Sequence, residues 1–199
     1  MVSLYLILYA CLDLRFPDVE TNPGPRRPVS GACRILCSNV RGLSKNLSDV
    51  TVASSQYDLL LFSETLISDR RHISELLVPE FGLPVLLCRD GMPRARGMAA
   101  YVRDGYGAFR QPKLECGCCE MLLFRVCGAR QNFYVFSLYR NPDLDDRIYD
   151  CLLTAIAAVQ AADARASFLF VGDLNGHHQE WLGFYYHEPS WCCGPQFCH

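Results

Sequence analysis

An α/β layered domain is what this chain of 199 residues predicts. Three observations carry the prediction. Half of the residues are hydrophobic, enough to fill the core of one domain. Short apolar runs bounded by polar residues or glycine recur along the chain and read as buried strands. Segments with helical spacing lie between them, and such alternation is the pattern of a layered α/β unit.

Taken in order, residues 2–12 are apolar and compatible with a helix. That is too short to cross a bilayer, which needs about 20 residues, so no stable membrane span is expected. No lysine or arginine precedes the run, which makes it a poor signal peptide. Residues 26–32, with Arg26, Arg27 and Pro28, are a linker, and the domain is expected over 33–183. Residues 33–39 read as a strand, 43–55 as a helix that crosses back, and 58–62 as the next buried strand. A short helix over 72–78 and a strand over 83–88 follow, then a polar loop with Arg89, Arg94 and Arg96. Residues 96–103 read as a further strand, and 119–127 and 132–139 as a hairpin turning at Gly128-Ala129-Arg130. Residues 143–162 place Leu144, Ile148, Cys151, Leu152, Ala155 and Val159 on one helical face and deliver the chain to an apolar strand at 168–171.

The net charge is only −2 and no basic tail is present, which argues against strong nonspecific affinity for nucleic acid while leaving room for a local patch. The 12 cysteines are scattered, several inside apolar runs, and form no loop-spaced framework. Reduced thiols and an intracellular setting are therefore expected. Cys116-Gly117-Cys118-Cys119 hints at a metal but lacks a second pair at zinc spacing.

The chemistry centres on Val171 to His178, VGDLNGHH. Gly172 ends a strand, and Asp173 and Asn175, two apart, face the same way in extended geometry. A carboxylate that can deprotonate water beside an amide that can donate to a phosphate oxygen suits phosphodiester hydrolysis. Read alone, the octet fits a strand end with an Asx turn equally well. Four more strand ends break the tie: Ser38-Asn39-Val40-Arg41-Gly42-Leu43, Phe62-Ser63-Glu64-Thr65, Arg96 to Arg103, and Ser137-Leu138-Tyr139-Arg140-Asn141-Pro142.

Asn, Glu, Tyr and Asp-x-Asn at successive strand ends resemble the endonuclease/exonuclease/phosphatase superfamily, over roughly residues 33 to 183. The pattern is most similar to the apurinic-endonuclease-like domain of non-LTR retrotransposons of the jockey and chicken-repeat type. The resemblance implies a four-layer, deoxyribonuclease-I-like fold, with a two-sheet β-sandwich flanked by helices. It implies Glu64 and Asn39 as ligands of Mg²⁺ (or Mn²⁺), a hard ion served by oxygen donors and water. It makes Tyr139 the holder of the scissile phosphate, with Arg140 and Arg96 as further phosphate contacts. Asp173 would activate water, Asn175 would steady the transition state, and His178, with His177 as its alternative, would be the family histidine. The implied partners are target DNA and the reverse transcriptase of the same element. The implied activity is DNA nicking that primes reverse transcription, in the nucleus.

Before the domain stands Asp18-Val19-Glu20-Thr21-Asn22-Pro23-Gly24-Pro25. This octet resembles the 2A-type ribosome-skipping motif, in which Asn22, Pro23 and Gly24 misplace the glycyl ester and synthesis resumes at Pro25. A proline-rich linker is the plainer reading.

Two features depart from the family pattern. Residues 184–199 are dense in cysteine and aromatics without a strand pattern. A coding sequence for residues 184–193, read one base later, can give a polar, glycine-bearing string similar to how family members continue, so an out-of-frame tail is expected. A zinc-binding tail through Cys192, Cys193, Cys198 and His199 is the other reading. The Ser-Asp-His motif near the end of family members does not occur in the sequence. The fold is therefore expected to be incomplete at its C-terminus and the activity impaired. The alternatives are an inactive retroelement fragment, or a phosphatase of the same superfamily acting on a phospholipid.

Overall fold

The computed structural model describes residues 4–7, 11–15, 32–67, 70–88, 96–117, 119–128, 131–140 and 147–174. In chain order the elements are β1 (Leu4–Ile7), β2 (Cys11–Arg15), β3 (Ala32–Asn39), α1 (Leu47–Ser54), β4 (Leu59–Ser63), β5 (Val85–Leu87), β6 (Met98–Val102), β7 (Ala108–Arg110), β8 (Glu120–Cys127), β9 (Asn132–Tyr139), α2 (Arg147–Ala162) and β10 (Ser167–Asp173). Short 3-10 turns occupy Ser44–Asn46, Arg70–Leu76 and Pro112–Leu114.

The strands form two mixed sheets of five, ordered β1-β10-β9-β8-β7 and β2-β3-β4-β6-β5. The pair β3/β4 is parallel with α1 as its crossover, and β9/β10 is parallel with α2 as its crossover. The hairpin β8/β9 is antiparallel, with Glu120 opposite Tyr139 and Cys127 opposite Asn132.

Side-chain alternation explains why these strands read as continuous apolar runs: both faces of each sheet are covered. Ile35, Leu59, Leu61, Met98 and Ala100 of one sheet meet Leu122, Phe124, Val126, Val135, Leu169 and Val171 of the other. On the outer face of the first sheet, Leu60, Phe62, Ala99 and Tyr101 pack with Val50 of α1 and with Leu76 and Val78. On the outer face of the second, Met121, Leu123, Phe136, Phe168 and Phe170 pack with Ile148, Ala155 and Val159 of α2. Each buried Val, Leu, Ile, Met or Phe among them contributes about 1.5–3 kcal/mol. The result is the layered order helix, sheet, sheet, helix of the deoxyribonuclease-I-like fold.

Arg103, just past β6, ties α1 to the first sheet. Its guanidinium donates to the Tyr57 carbonyl at 2.9 Å and to the Ser54 carbonyl at the end of α1 at 2.9 Å. A cation there satisfies carbonyls that the helix leaves open.

The leader differs from the helix its apolar run suggests. Residues 4–7 and 11–15 are strands: β1 lies parallel to β10, with Leu4 to Ile7 beside Phe168 to Val171. β2 lies antiparallel to β3, with Cys11 beside Leu36 and Arg15 beside Ala32. An isolated helix of this length is marginal in water, whereas a sheet edge offers a row of backbone partners. The short strand β7 was not legible either, because three residues carry no measurable period. The 2A-like octet and the 184–199 tail lie outside the described residues.

Candidate active site

Four predicted residues meet where the carboxyl ends of β3, β4, β9 and β10 come together between the sheets. Asn39 is the last residue of β3, Glu64 follows β4, Tyr139 ends β9 and Asp173 ends β10. Two hydrogen bonds cross from sheet to sheet. The Asn39 Nδ2 donates to Asp173 Oδ2 at 3.3 Å, and the Tyr139 hydroxyl donates to Glu64 Oε1 at 3.0 Å. The carboxylates of Glu64 and Asp173 thus stand at adjoining strand ends, with Tyr139 directly opposite Asp173 in the β9/β10 register.

Backbone geometry holds these groups. Asp173 follows Gly172, whose φ is +135°, and a Cβ there would stand 1.8 Å from the Leu138 carbonyl oxygen. Only glycine lets β10 approach β9 this closely. The Arg140 N–H then donates to the Asp173 carbonyl at 2.9 Å, which extends the ladder past both site residues. On the other sheet, Arg41, Glu64 and Leu66 all have left-handed φ, at 45°, 50° and 55°. Such conformations cost on the order of 1–3 kcal/mol each and gather at functional sites. They are held by a zipper between the two loops: Val40, Gly42 and Leu43 donate to the carbonyls of Ser63, Glu64 and Thr65 at 3.0, 2.7 and 2.9 Å.

Burial pushes the Tyr139 hydroxyl above its ordinary pKa, and so do its hydrogen bond to Glu64 and the charge of that carboxylate, while Arg96 pulls the other way. Tyr139 therefore remains a proton donor at neutral pH. Burial, followed by the charge of Asp173, pushes the nearby Cys37 thiol up to about 12. It stays neutral and inert beside Asp173.

Arg140, which follows Tyr139, is partly buried, and Arg96, whose charge acts on the Tyr139 hydroxyl, is exposed. Asn175, His177 and His178 lie outside the described residues. One residue that the sequence reading passed over is Glu120. It is 2% exposed, stands opposite Tyr139, and its Oε1 accepts the Gly97 N–H of the other sheet at 2.7 Å. An acid at the first position of an apolar strand looks solvated in sequence. Its partner lies 23 residues earlier, in the other sheet.

The donor set suits a hard divalent ion. Glu64 Oε2 accepts no hydrogen bond from a described residue, and the Asp173 carboxylate and the Asn39 carboxamide add oxygens alongside. All are hard oxygen donors with no thiol or imidazole among them.

Two packed sheets thus bring acid, amide and phenol together at adjoining strand ends. Residues 36–192 match the Endonuclease/Exonuclease/phosphatase family, and the chain belongs to it. Among solved structures, the AP endonuclease LMAP from Leishmania major superposes with a TM-score of 0.55 at 14% identity, over 71% of this chain and 54% of that one. The Xenopus laevis APE2 catalytic domain gives 0.51 at 16% identity, over 73% and 59%. The endonuclease domain of TRAS1, a telomere-specific non-LTR retrotransposon, gives 0.49 at 17% identity, over 76% and 64%. The chain thus spans between half and two thirds of the length of these structures. No curated protein is similar enough to match.

Proposed function

We propose that the chain is a divalent-metal-dependent phosphodiesterase that nicks DNA, within a retroelement protein that uses the nick to prime reverse transcription. The observation that carries the reading is the pair of cross-sheet hydrogen bonds, Asn39 to Asp173 and Tyr139 to Glu64, at adjoining strand ends. Family membership supports it, and the mobile-element branch is favoured by the Tyr139-Arg140-Asn141-Pro142 string and the octet before Pro25.

Glu64 and Asn39 would hold Mg²⁺ or Mn²⁺, which when bound supplies charge to a phosphoryl oxygen. Asn39 orients Asp173, whose carboxylate takes a proton from the attacking water. The water oxygen bonds to phosphorus, the bond to the 3′ oxygen breaks, and that oxygen takes up a proton to leave a 3′-hydroxyl. Tyr139 donates to the phosphate once substrate displaces Glu64 from its hydroxyl. Arg140 and Arg96 add positive charge beside the phosphate. Asn175 and His178 complete the set by donating to the developing oxyanion. The partners are target DNA and the element's reverse transcriptase, in the nucleus. Asn22, Pro23, Gly24 and Pro25 would separate the leader during translation.

Two readouts test the site. Supercoiled plasmid should be nicked with Mg²⁺ and not with EDTA, and Asp173→Ala should remove that activity. Mn²⁺ affinity, read by water-proton relaxation, should fall at least about tenfold in Glu64→Ala, the loss of one charged ligand. Mn²⁺ binding that is unchanged in Glu64→Ala overturns the reading.

A further inference from the structure

Away from the candidate site, on the outer side of the β8 sheet, three sulfurs converge. Cys116 lies in the turn before β8, Cys119 immediately precedes that strand, and Cys151 is on α2. Their Sγ atoms lie within 4.8 Å of one another. Among the described residues this is the one group of three or more Cys, His, Asp or Glu side chains whose ligand atoms come so close. Cys119 and Cys151 are reduced thiols, and Cys116 is disulfide-bonded.

The environment is built around the cluster. Cys116 and Cys151 pack against the apolar layer that contains Cys119, Met121, Ile148 and Ala155. Nearby Glu115 is already engaged: its carboxylate accepts from the Arg110 guanidinium at 2.7 Å and from the Leu123 N–H at 3.0 Å. A cleft lined by Cys116, Asp150, Cys151 and Thr154 opens beside the sulfurs and admits a fourth ligand from solvent.

We propose that Cys116, Cys119 and Cys151 form a soft-metal site that takes Zn²⁺ once the Cys116 disulfide is reduced. A tetrahedral zinc with sulfur ligands at about 2.3 Å sets its sulfurs about 3.8 Å apart, so the cluster needs to close only slightly. A dithiol reductant delivers two electrons and two protons to the Cys116 disulfide, giving two thiols and an oxidised reductant. Zinc then displaces one proton from each of the three thiols, and a water from the cleft fills the fourth position. Oxidation of Cys116 and metal binding are mutually exclusive, so the site is redox-gated. Cys116 and Cys119 stand at zinc-ligand spacing in the sequence, whereas the third sulfur comes from a helix far along the chain. The metal would pin α2 to the start of β8, next to Glu120. The site does not depend on the phosphodiesterase reading.

Co²⁺ titration of the full chain, reduced with a phosphine, tests the proposal. One equivalent should produce sulfur-to-cobalt charge transfer and tetrahedral visible bands, displaced by equimolar Zn²⁺. The oxidised chain should show neither. Cys151→Ser, at a half-buried helix position, should weaken Co²⁺ binding at least about tenfold and lose part of the charge-transfer intensity, as should Cys119→Ser. Cys127→Ser, at the far end of β8, should bind as the wild type does, and so should the chain with Cys192, Cys193 and Cys198 all replaced by Ser. Bands that persist unchanged in Cys151→Ser, or that vanish with the three tail cysteines, overturn the proposal. Circular dichroism identifies any variant that fails to fold. Cys151→Ala then provides a second version of the decisive substitution.

Discussion

At Gly172 the two strands that carry Tyr139 and Asp173 come into backbone contact, and the consequence can be measured. A methyl group there would overlap the Leu138 carbonyl, at 1.8 Å, and the φ of +135° is itself unfavourable for any other residue. Gly172→Ala should cost more than about 3 kcal/mol in a urea melt. Gly105→Ala is the control: its φ of +76° is left-handed but nothing lies within 4 Å, so about 1 kcal/mol is expected. Equal losses in the two variants would mean that the close approach carries no weight. The buried thiols give a second test. Cys33 and Cys37 are both raised from 9.0 to about 12, chiefly by burial. Below pH 9 both thiols are protonated in folded and unfolded chains alike, and their contribution is constant. Above it the unfolded chain releases protons that the folded chain keeps until about 12, so stability falls by about 1.4 kcal/mol per pH unit for each thiol. Cys37→Ala should remove one such slope. Its stability deficit against the wild type, measured in urea at about pH 8 and again at about pH 10.5, should shrink by about 2 kcal/mol. A deficit that stays constant would show that Cys37 titrates as an exposed thiol. At this scale the family resemblance picked out Asn39, Glu64, Tyr139 and Asp173 at the ends of apolar runs, and the structure brings the four side chains together in pairs. Sequence reading missed Glu120 because neither the distant Gly97 nor the register with Tyr139 is written in local spacing.

The longest elements were legible from their periodicity or their alternation with turns. The periodicity of α2 is unmistakable over 16 residues, and the face it predicts is the one buried: Ile148, Ala155 and Val159 are 3%, 3% and 1% exposed. The hairpin β8/β9 is eight residues on each side with a glycine-bearing turn, and its boundaries were readable to within a residue. Short apolar runs defeat the same reasoning, since four or five residues fit a helix or a strand equally well. The leader strands β1 and β2 are of that kind, and only pairing with a neighbouring strand decides between the two. The burial pattern of α2 predicts a sharp contrast. Val159→Asp would bury an unpaired charge between α2 and the aromatic ladder of Phe168, Phe136 and Phe170, at a cost above about 3 kcal/mol. Leu153→Asp, at a position 65% exposed on the opposite face, should change stability by no more than about 0.5 kcal/mol. Similar losses at the two positions in thermal melts would place α2 off the sheet.

For the whole molecule the open question is how the two sheets finish at their edges. In one, β10 is the strand beyond β9, and β1 covers its outer side from Phe168 to Val171. In the other, β3 is the strand beyond β4, and β2 covers its outer side from Ala32 to Leu36. Both covered strands end in residues of the candidate site, Asp173 and Asn39. An uncovered edge presents unpaired N–H and C=O groups that invite pairing with another chain. Release of the leader at the Gly24–Pro25 junction would therefore uncover both edges at once. Translation of the full message should give two products split at that junction, and Pro25→Ala should give one. The chain that begins at Pro25 should then melt at a lower temperature than the unsplit Pro25→Ala chain, and it should self-associate at micromolar concentration, as sedimentation would show. Adding a synthetic peptide of residues 1–15 should raise the melting temperature and reduce the association. The rescue is the discriminating step, because a shorter chain can lose stability for many reasons, whereas only strand pairing is restored in trans by the missing strands. A chain beginning at Pro25 that stays monomeric and melts with the unsplit protein would mean that β1 and β2 contribute nothing to the edges they cover.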